Sequence, residues 1–340
     1  MANQNIRTPR FYVDTINYLL SRGVTQNGEF DVAANNPGAY KIGIQTGSEA
    51  ELFDMNPLNK VDFDTSGDPD GHVMVTIDTQ STSSKKNFVA ILNHNMASAD
   101  AKVLIKGSDT AGYVAAVNMG DATAMGNPAE VVNAGGIASS IVTPDTDGST
   151  IVTFDDSSLQ YWGVQFEGDS SNTFGSTDLF VGCILIGEYF DAPHTPDLEV
   201  KRQIIFDGVD VLESYGGKRF ANMRHSGRTH SATSKSPFTL ASSGYEGYGG
   251  RLAYDVKFSF LASSEMMPTR YGSVVHTDNT VVSDVWNKTN GPHIPFIFSS
   301  NNSVAAEDEH IFARFAQDSL NMSQVANDFW NISLKIEEEF

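Results

Sequence analysis

Arg251-Leu252-Ala253-Tyr254-Asp255-Val256-Lys257-Phe258-Ser259-Phe260 is the stretch that decides the fold class of this chain. Leu252, Tyr254, Val256, Phe258 and Phe260 alternate with Arg251, Asp255, Lys257 and Ser259. A period of two sends successive side chains to opposite faces of a strand, so one face is built for a core and the other for water. The C-terminus repeats the pattern, with Trp330, Ile332, Leu334 and Ile336 set against Asn331, Ser333, Lys335 and Glu337. Further out, unbroken apolar runs at residues 88–92, 103–105, 151–154 and 180–186 fit strands buried on both faces. Tyr161, Trp162, Val164 and Phe166 suggest another. Turn-forming clusters at 66–71 and 144–148 separate these runs and read as hairpin turns. Ile16, Leu19 and Leu20 have helical spacing, but Phe11 and Val13 alternate just before them, and strand is the reading adopted there. Ile311, Ala313 and Phe315 read as strand too. The expected fold class is all-β, two β-sandwich domains.

The chain has 340 residues, 40% hydrophobic and 19% charged, enough apolar content for a substantial core. Lys and Arg number 22 and Asp and Glu 42, a formal charge of −20. That balance argues against nucleic acid as a partner, because a phosphate backbone needs a basic stripe. The paired cations are Lys85-Lys86 and Lys218-Arg219. The longest apolar run, residues 180–186, is far shorter than the roughly 20 residues of a membrane-spanning helix, so membrane insertion is not expected. Residues 1–10 are polar and contain Pro9, with no apolar segment of the kind a secretory signal carries. Cys183 is the one cysteine, which excludes an internal disulfide, and within its apolar run it reads as an inert core thiol.

A domain boundary fits best at residues 192–197, where Pro193 and Pro196 break any continuous ladder. The expected division is 1–192 and 197–340. Residues 220–243, rich in Ser, Thr, Arg and His, read as a long loop or arm. Arg219, Arg224, Arg228 and His230 form its candidate assembly contacts, a local positive patch on an acidic chain. A metal reading of His225 and His230 fails on spacing, because no His-x-x-x-His pair exists and no Glu lies between them. His94, at the end of a buried run between Asn93 and Asn95, reads as a turn residue bonded to backbone. Asp68, Asp70 and Gly71, like Asp145, Asp147 and Gly148, echo calcium loops without completing the ligand pattern. No Gly-x-Ser-x-Gly elbow or phosphate loop occurs, so the expectation is a non-enzymatic protein without cofactor, metal or catalytic residues. Tyr245, Tyr248, Tyr254, Tyr271 and Trp286 lie close in sequence, and Tyr245 and Tyr248 are the candidate glycan-contact aromatics.

Two segments carry a family resemblance. Residues 87–96 (Asn-Phe-Val-Ala-Ile-Leu-Asn-His-Asn-Met), followed by 101–108, resemble the core hairpin of galactose-binding-like jelly rolls, a superfamily that includes the discoidin domains. Residues 160–166 and 180–187 resemble later strands of the same sandwich. The chain is also similar to structural proteins of tailed bacteriophages, particularly marine ones, through residues 8–14, 193–198, 213–220 and 331–338. That resemblance implies a virion component of the tail or baseplate, distal or fibre-connecting, made in the host cytoplasm. It implies copies of itself in a ring and other tail proteins as partners. The alternative is an adhesin that recognises a host surface glycan.

Overall fold

A computed structural model describes residues 7–23, 30–32, 42–79, 85–109, 129–133, 135–138, 141–198, 200–206, 209–223, 238, 251–269, 279–303 and 310–339. Three antiparallel sheets account for the strands among them, and the protein is an all-β sandwich. The largest sheet begins at one edge with β14 (Lys201–Ile205), then β17 (Arg251–Ala262), β21 (Phe329–Glu338), β19 (His310–Phe315) and β18 (Phe296–Ser299). It continues through β1 (Arg10–Asp14), β13 (Leu179–Asp191), β6 (Lys86–His94), β11 (Gly148–Ser157) and β8 (Ala129–Val132). Three short strands hang on this path: β20 (Met322–Ala326) on β21, β4 (Val61–Phe63) on β13, and β3 (Ile44–Thr46) on β4. The second sheet runs β2 (Phe30–Val32), β5 (Val73–Asp78), β12 (Tyr161–Gly168), β7 (Ala101–Ser108), β10 (Ile141–Thr143), β9 (Gly136–Ala138). The third is a lone hairpin of β15 (Val209–Glu213) and β16 (Arg219–Met223).

Both faces of the large sheet are buried at its centre, which explains its unbroken apolar runs. Val89 and Ile91 of β6, with Ile184 and Ile186 of β13, pack against Val75, Ile105, Trp162 and Val164 of the second sheet. Phe88, Ala90, Leu92, Cys183 and Leu185 point the other way and meet Tyr12, Ile297 and Phe312. A third core lies beside the first, where Phe11, Phe190, Val256, Phe258, Ile332, Leu334 and Ile336 pack under a π-helical turn at Val281–Trp286. Strand β1 joins the two parts of the chain: it pairs with β13 on one side and β18 on the other, so one ladder crosses the 192–197 junction. Gly187 lies against β1, and a Cβ there would clash with the Val13 carbonyl oxygen.

Several expectations need correction. Residues Thr15–Ser21 form a helix, not a strand. The buried Asp14 side chain accepts from the Asn17 N–H at 2.7 Å and caps the first turn, a local signal that outweighs the alternation before it. Strands β6 and β7 do not form a hairpin; they lie in opposing sheets, and residues 95–100 carry the chain between layers. The turns at 66–71 and 144–148 are likewise corners between sheets, each linking a strand of one sheet to a strand of the other. Phe260 is exposed, because a bulge between Phe258 and Leu261 shifts the register and turns Leu261 inward in its place.

Candidate assembly surface

Ten large hydrophobic side chains remain exposed among the described residues, and every one lies between residues 198 and 329. They are Leu198, Ile204, Phe206, Val211, Leu212, Tyr215, Phe220, Phe260, Val325 and Phe329. Seven fall in one 23-residue window, on β14 and on the hairpin that follows it. Isolated exposed apolar groups are ordinary, whereas a concentration of this kind marks an interaction surface.

The hairpin is built by local rules. Gly217 takes a φ of +77°, which the tight turn requires, and its N–H donates to the Ser214 carbonyl at 2.8 Å. The Ser214 N–H closes the turn on the Lys218 carbonyl at 2.8 Å. Leu212 stands opposite Phe220, Val211 opposite Ala221, and Glu213 opposite Arg219 with an Oε2–Nε distance of 3.2 Å. Apolar side chains therefore occupy both faces of a two-stranded ribbon, and no described element covers either face. A ribbon of that kind is marginal in water by itself, since two strands bury too little surface.

Just before it in the chain, β14 ends the hydrogen-bonded order of the large sheet among the described strands. Its residues pair with β17, Lys201 opposite Asp255 and Ile205 opposite Arg251, and Lys201, Arg202, Gln203 and Ile204 are exposed. A shallow cleft of about 220 Å³ opens next to this edge, lined by Gln203, Asp255, Lys335 and Glu337 among others. At the other end of β17, Phe260 has a φ of +61° and its N–H donates to Asn331 Oδ1 at 3.0 Å. A bulky side chain in the left-handed region is strained, by about 1–3 kcal/mol.

Polar groups are also buried between the cores. Glu188 lies on the seam between two cores, with Ile186 on one side of it along β13 and Phe190 on the other. Its oxygens meet Lys288 Nζ at 2.7 Å and Lys85 Nζ at 3.0 Å, and Lys288 also reaches Asp284 at 2.9 Å. Burial works to lower the Lys288 pKa, but Glu188 and Asp284 together raise it above the ordinary lysine value and hold the ammonium charged. His94 is buried; Thr150 Oγ1 lies 2.8 Å from its Nε2, and the Met96 N–H donates to Nδ1 at 3.2 Å. Burial drives its pKa down to about 3, so it is a neutral turn residue bonded to backbone. Burial also raises the Cys183 thiol well above its ordinary pKa. No group of three or more His, Cys, Asp or Glu side chains placed to hold a metal occurs among the described residues. No helix among them is long and apolar enough to cross a membrane.

Of the residues singled out from sequence, Arg219 sits on the exposed hairpin, paired with Glu213. Arg224, Arg228, His230, Tyr245 and Tyr248 lie outside the described residues, as do His225 and Tyr271. Tyr254 is buried, and the Trp286 ring packs on Phe315 at 5.0 Å. The start of the expected loop at 220–243 is corrected: residues 220–223 belong to β16, because they complete the ladder with β15. Phe238, from the same stretch, is buried with its ring 5.9 Å from His310. Sequence reading missed the hairpin itself, although Gly216-Gly217 between Val211-Leu212 and Phe220 is a hairpin signal.

The surface and the sheets define an all-β sandwich with an apolar edge open to solvent. No protein-family model matches the chain, and searches of curated proteins and of solved structures find no match either.

Proposed function

We propose that this protein is a non-enzymatic structural component of a tailed-phage virion, in the tail or baseplate, held in place by docking of its β14 edge and the β15–β16 hairpin. The observation that carries the reading is the concentration of exposed apolar side chains in residues 198–220. Such a surface is costly in a free monomer and useful in an assembly, where it becomes the desolvated centre of an interface. The virion setting rests on the sequence resemblance in residues 8–14, 193–198, 213–220 and 331–338, and the galactose-binding-like jelly roll belongs to the same proposal. Partners are then further copies of this chain and neighbouring tail proteins. The second reading, a glycan-binding adhesin, is favoured by Tyr215, fully exposed in the hairpin turn, since an aromatic ring can stack on a sugar face.

Mass spectrometry of purified particles tests the first reading. The expected result is a fixed copy number that is a multiple of the tail symmetry; absence from the particle overturns it. Binding on a glycan array that is lost with Tyr215→Ala would favour the adhesin.

A further inference from the structure

We infer that the partner of the β14 edge is a second copy of this chain, docked about a two-fold axis so that β14 pairs antiparallel with its own counterpart. The inference rests on the assembly reading and names the partner.

Charge selects the partner. The whole chain carries −20, so two copies repel almost wherever they approach. Residues 200–223 differ in composition: they hold four cations, Lys201, Arg202, Lys218 and Arg219, and three anions, Asp207, Asp210 and Glu213. This is a near-neutral, apolar-rich strip on an acidic molecule, the place where like can meet like.

Geometry selects the symmetry. In an isologous contact residue i meets j and j meets i. Antiparallel pairing centred on Gln203 sets Lys201 opposite Ile205 of the partner subunit and Arg202 opposite Ile204 of the partner subunit. No like charges then stand directly across the ladder, which would destabilise it. The ends of the strand also match. Leu198 is exposed ahead of β14, and the Asp197 and Lys257 backbones bond at 2.8 Å, which sets Leu198 toward the Phe260 end of β17. Phe206 and the hairpin lie at the opposite end. Reversing one copy brings the Leu198 end of each against the Phe206 end of the other, apolar against apolar. Main-chain hydrogen bonds along the side of β14 that no described strand pairs supply the rest, as in strand addition generally.

Sedimentation velocity of the full chain across a concentration series tests this. The expected result is a monomer–dimer equilibrium. Ile204→Lys together with Phe206→Lys should raise the dissociation constant by roughly tenfold or more, because each change enters the contact twice. Ile204 is exposed, so Ile204→Lys by itself should keep the parent's melting temperature. Hydrogen exchange gives a second readout: β14 amides should gain protection as concentration rises. A monomer at all concentrations, or a dimer indifferent to both substitutions with β14 amides unprotected, overturns the inference. A monomer that still enters particles, and fails to do so with Leu212→Asp, would reject the second copy as partner and leave the assembly reading standing.

Discussion

The sandwich around β6, β12 and β13 and the edge around β14 are made from the same residue types and treat them in opposite ways. In the sandwich, Ile184 on β13 is wholly buried; on β14, Ile204 is 59% exposed. Every exposed large hydrophobic of the described residues belongs to the β14, hairpin, β17, β20 and β21 end, and none to the first 190 residues. The difference is one of layering. Strands β6 and β13 have the second sheet on one face and a further core on the other, so both faces close. Among the described residues, the β15–β16 ribbon has no layer on either face.

The largest effect should come from placing the same charge on each side of this divide. Ile184→Asp puts an unpaired carboxylate in the closed core, costing several kcal/mol against a stability of roughly 5–15 kcal/mol, and should abolish soluble folding. Ile332→Asp should do the same, since Ile332 is buried under the open edge's own core. Ile204→Asp should move stability by no more than about 0.5 kcal/mol. Chemical denaturation of the three variants measures the contrast. A strongly destabilised Ile204→Asp would mean that β14 is closed after all.

Next comes the seam. Lys288→Met leaves buried Asp284 without its cation, while Glu188 keeps Lys85, and should cost about 3–5 kcal/mol. The exposed Arg219–Glu213 pair on the hairpin is the control: Arg219→Ala should leave the denaturation midpoint nearly unchanged, because exposed ion pairs contribute about 0–1 kcal/mol. Equal losses from the two changes would remove the distinction between a structural seam and an assembly edge.

These expectations also measure how much the sequence discloses. Alternation at Tyr254, Val256 and Phe258, and at Ile332, Leu334 and Ile336, reports burial on one face, and each of these residues is buried. The unbroken runs on β6 and β13 report burial on both faces, and that too is found. What alternation cannot report is which sheet a strand joins. The hydrophobic period is the same whether β7 pairs with β6 or faces it across the core, so the corner between them reads as a hairpin. Nor can it locate a bulge: the pattern around Phe260 is perfect in sequence and broken in space by a register shift. The open edge was hidden for a related reason. Leu212 and Phe220 look like core residues, and only the missing layer makes them a surface.

The closed sandwich should respond to acid through two buried groups of opposite sign. Burial lowers His94 to about 3 from 6.5, so the unfolded chain binds that proton first and stability is lost as pH falls from about 6.5 toward 3. Burial raises Asp14 to about 6 from 3.8, so the folded chain binds that proton first and stability is gained as pH falls from about 6 toward 4. The two oppose each other between pH 6 and 4, and His94 acts unopposed below that. Asp14→Asn should therefore steepen the decline between pH 6 and 4, seen as a larger drop in midpoint per pH step than in the parent. An unchanged slope would show that Asp14 keeps an ordinary pKa.

The smallest effect is the one that bears most directly on the open edge. Phe260 combines two unfavourable features, a left-handed backbone and an aromatic ring in water. Glycine adopts that backbone without the Cβ clash, at some cost in unfolded-state entropy, so Phe260→Gly should raise the stability of the dilute monomer by about 0.5–1 kcal/mol. For a chain of this size that is a rise of only a few degrees or less in melting temperature. If copies pair through β14 as inferred above, the same change should weaken association, because the ring lies at the Leu198 end of that contact. A gain in monomer stability paired with a loss of self-affinity is what an interface residue gives. A melting temperature that falls in dilute solution would show that the ring packs within its own chain, and the edge would then be less open than its exposed side chains indicate.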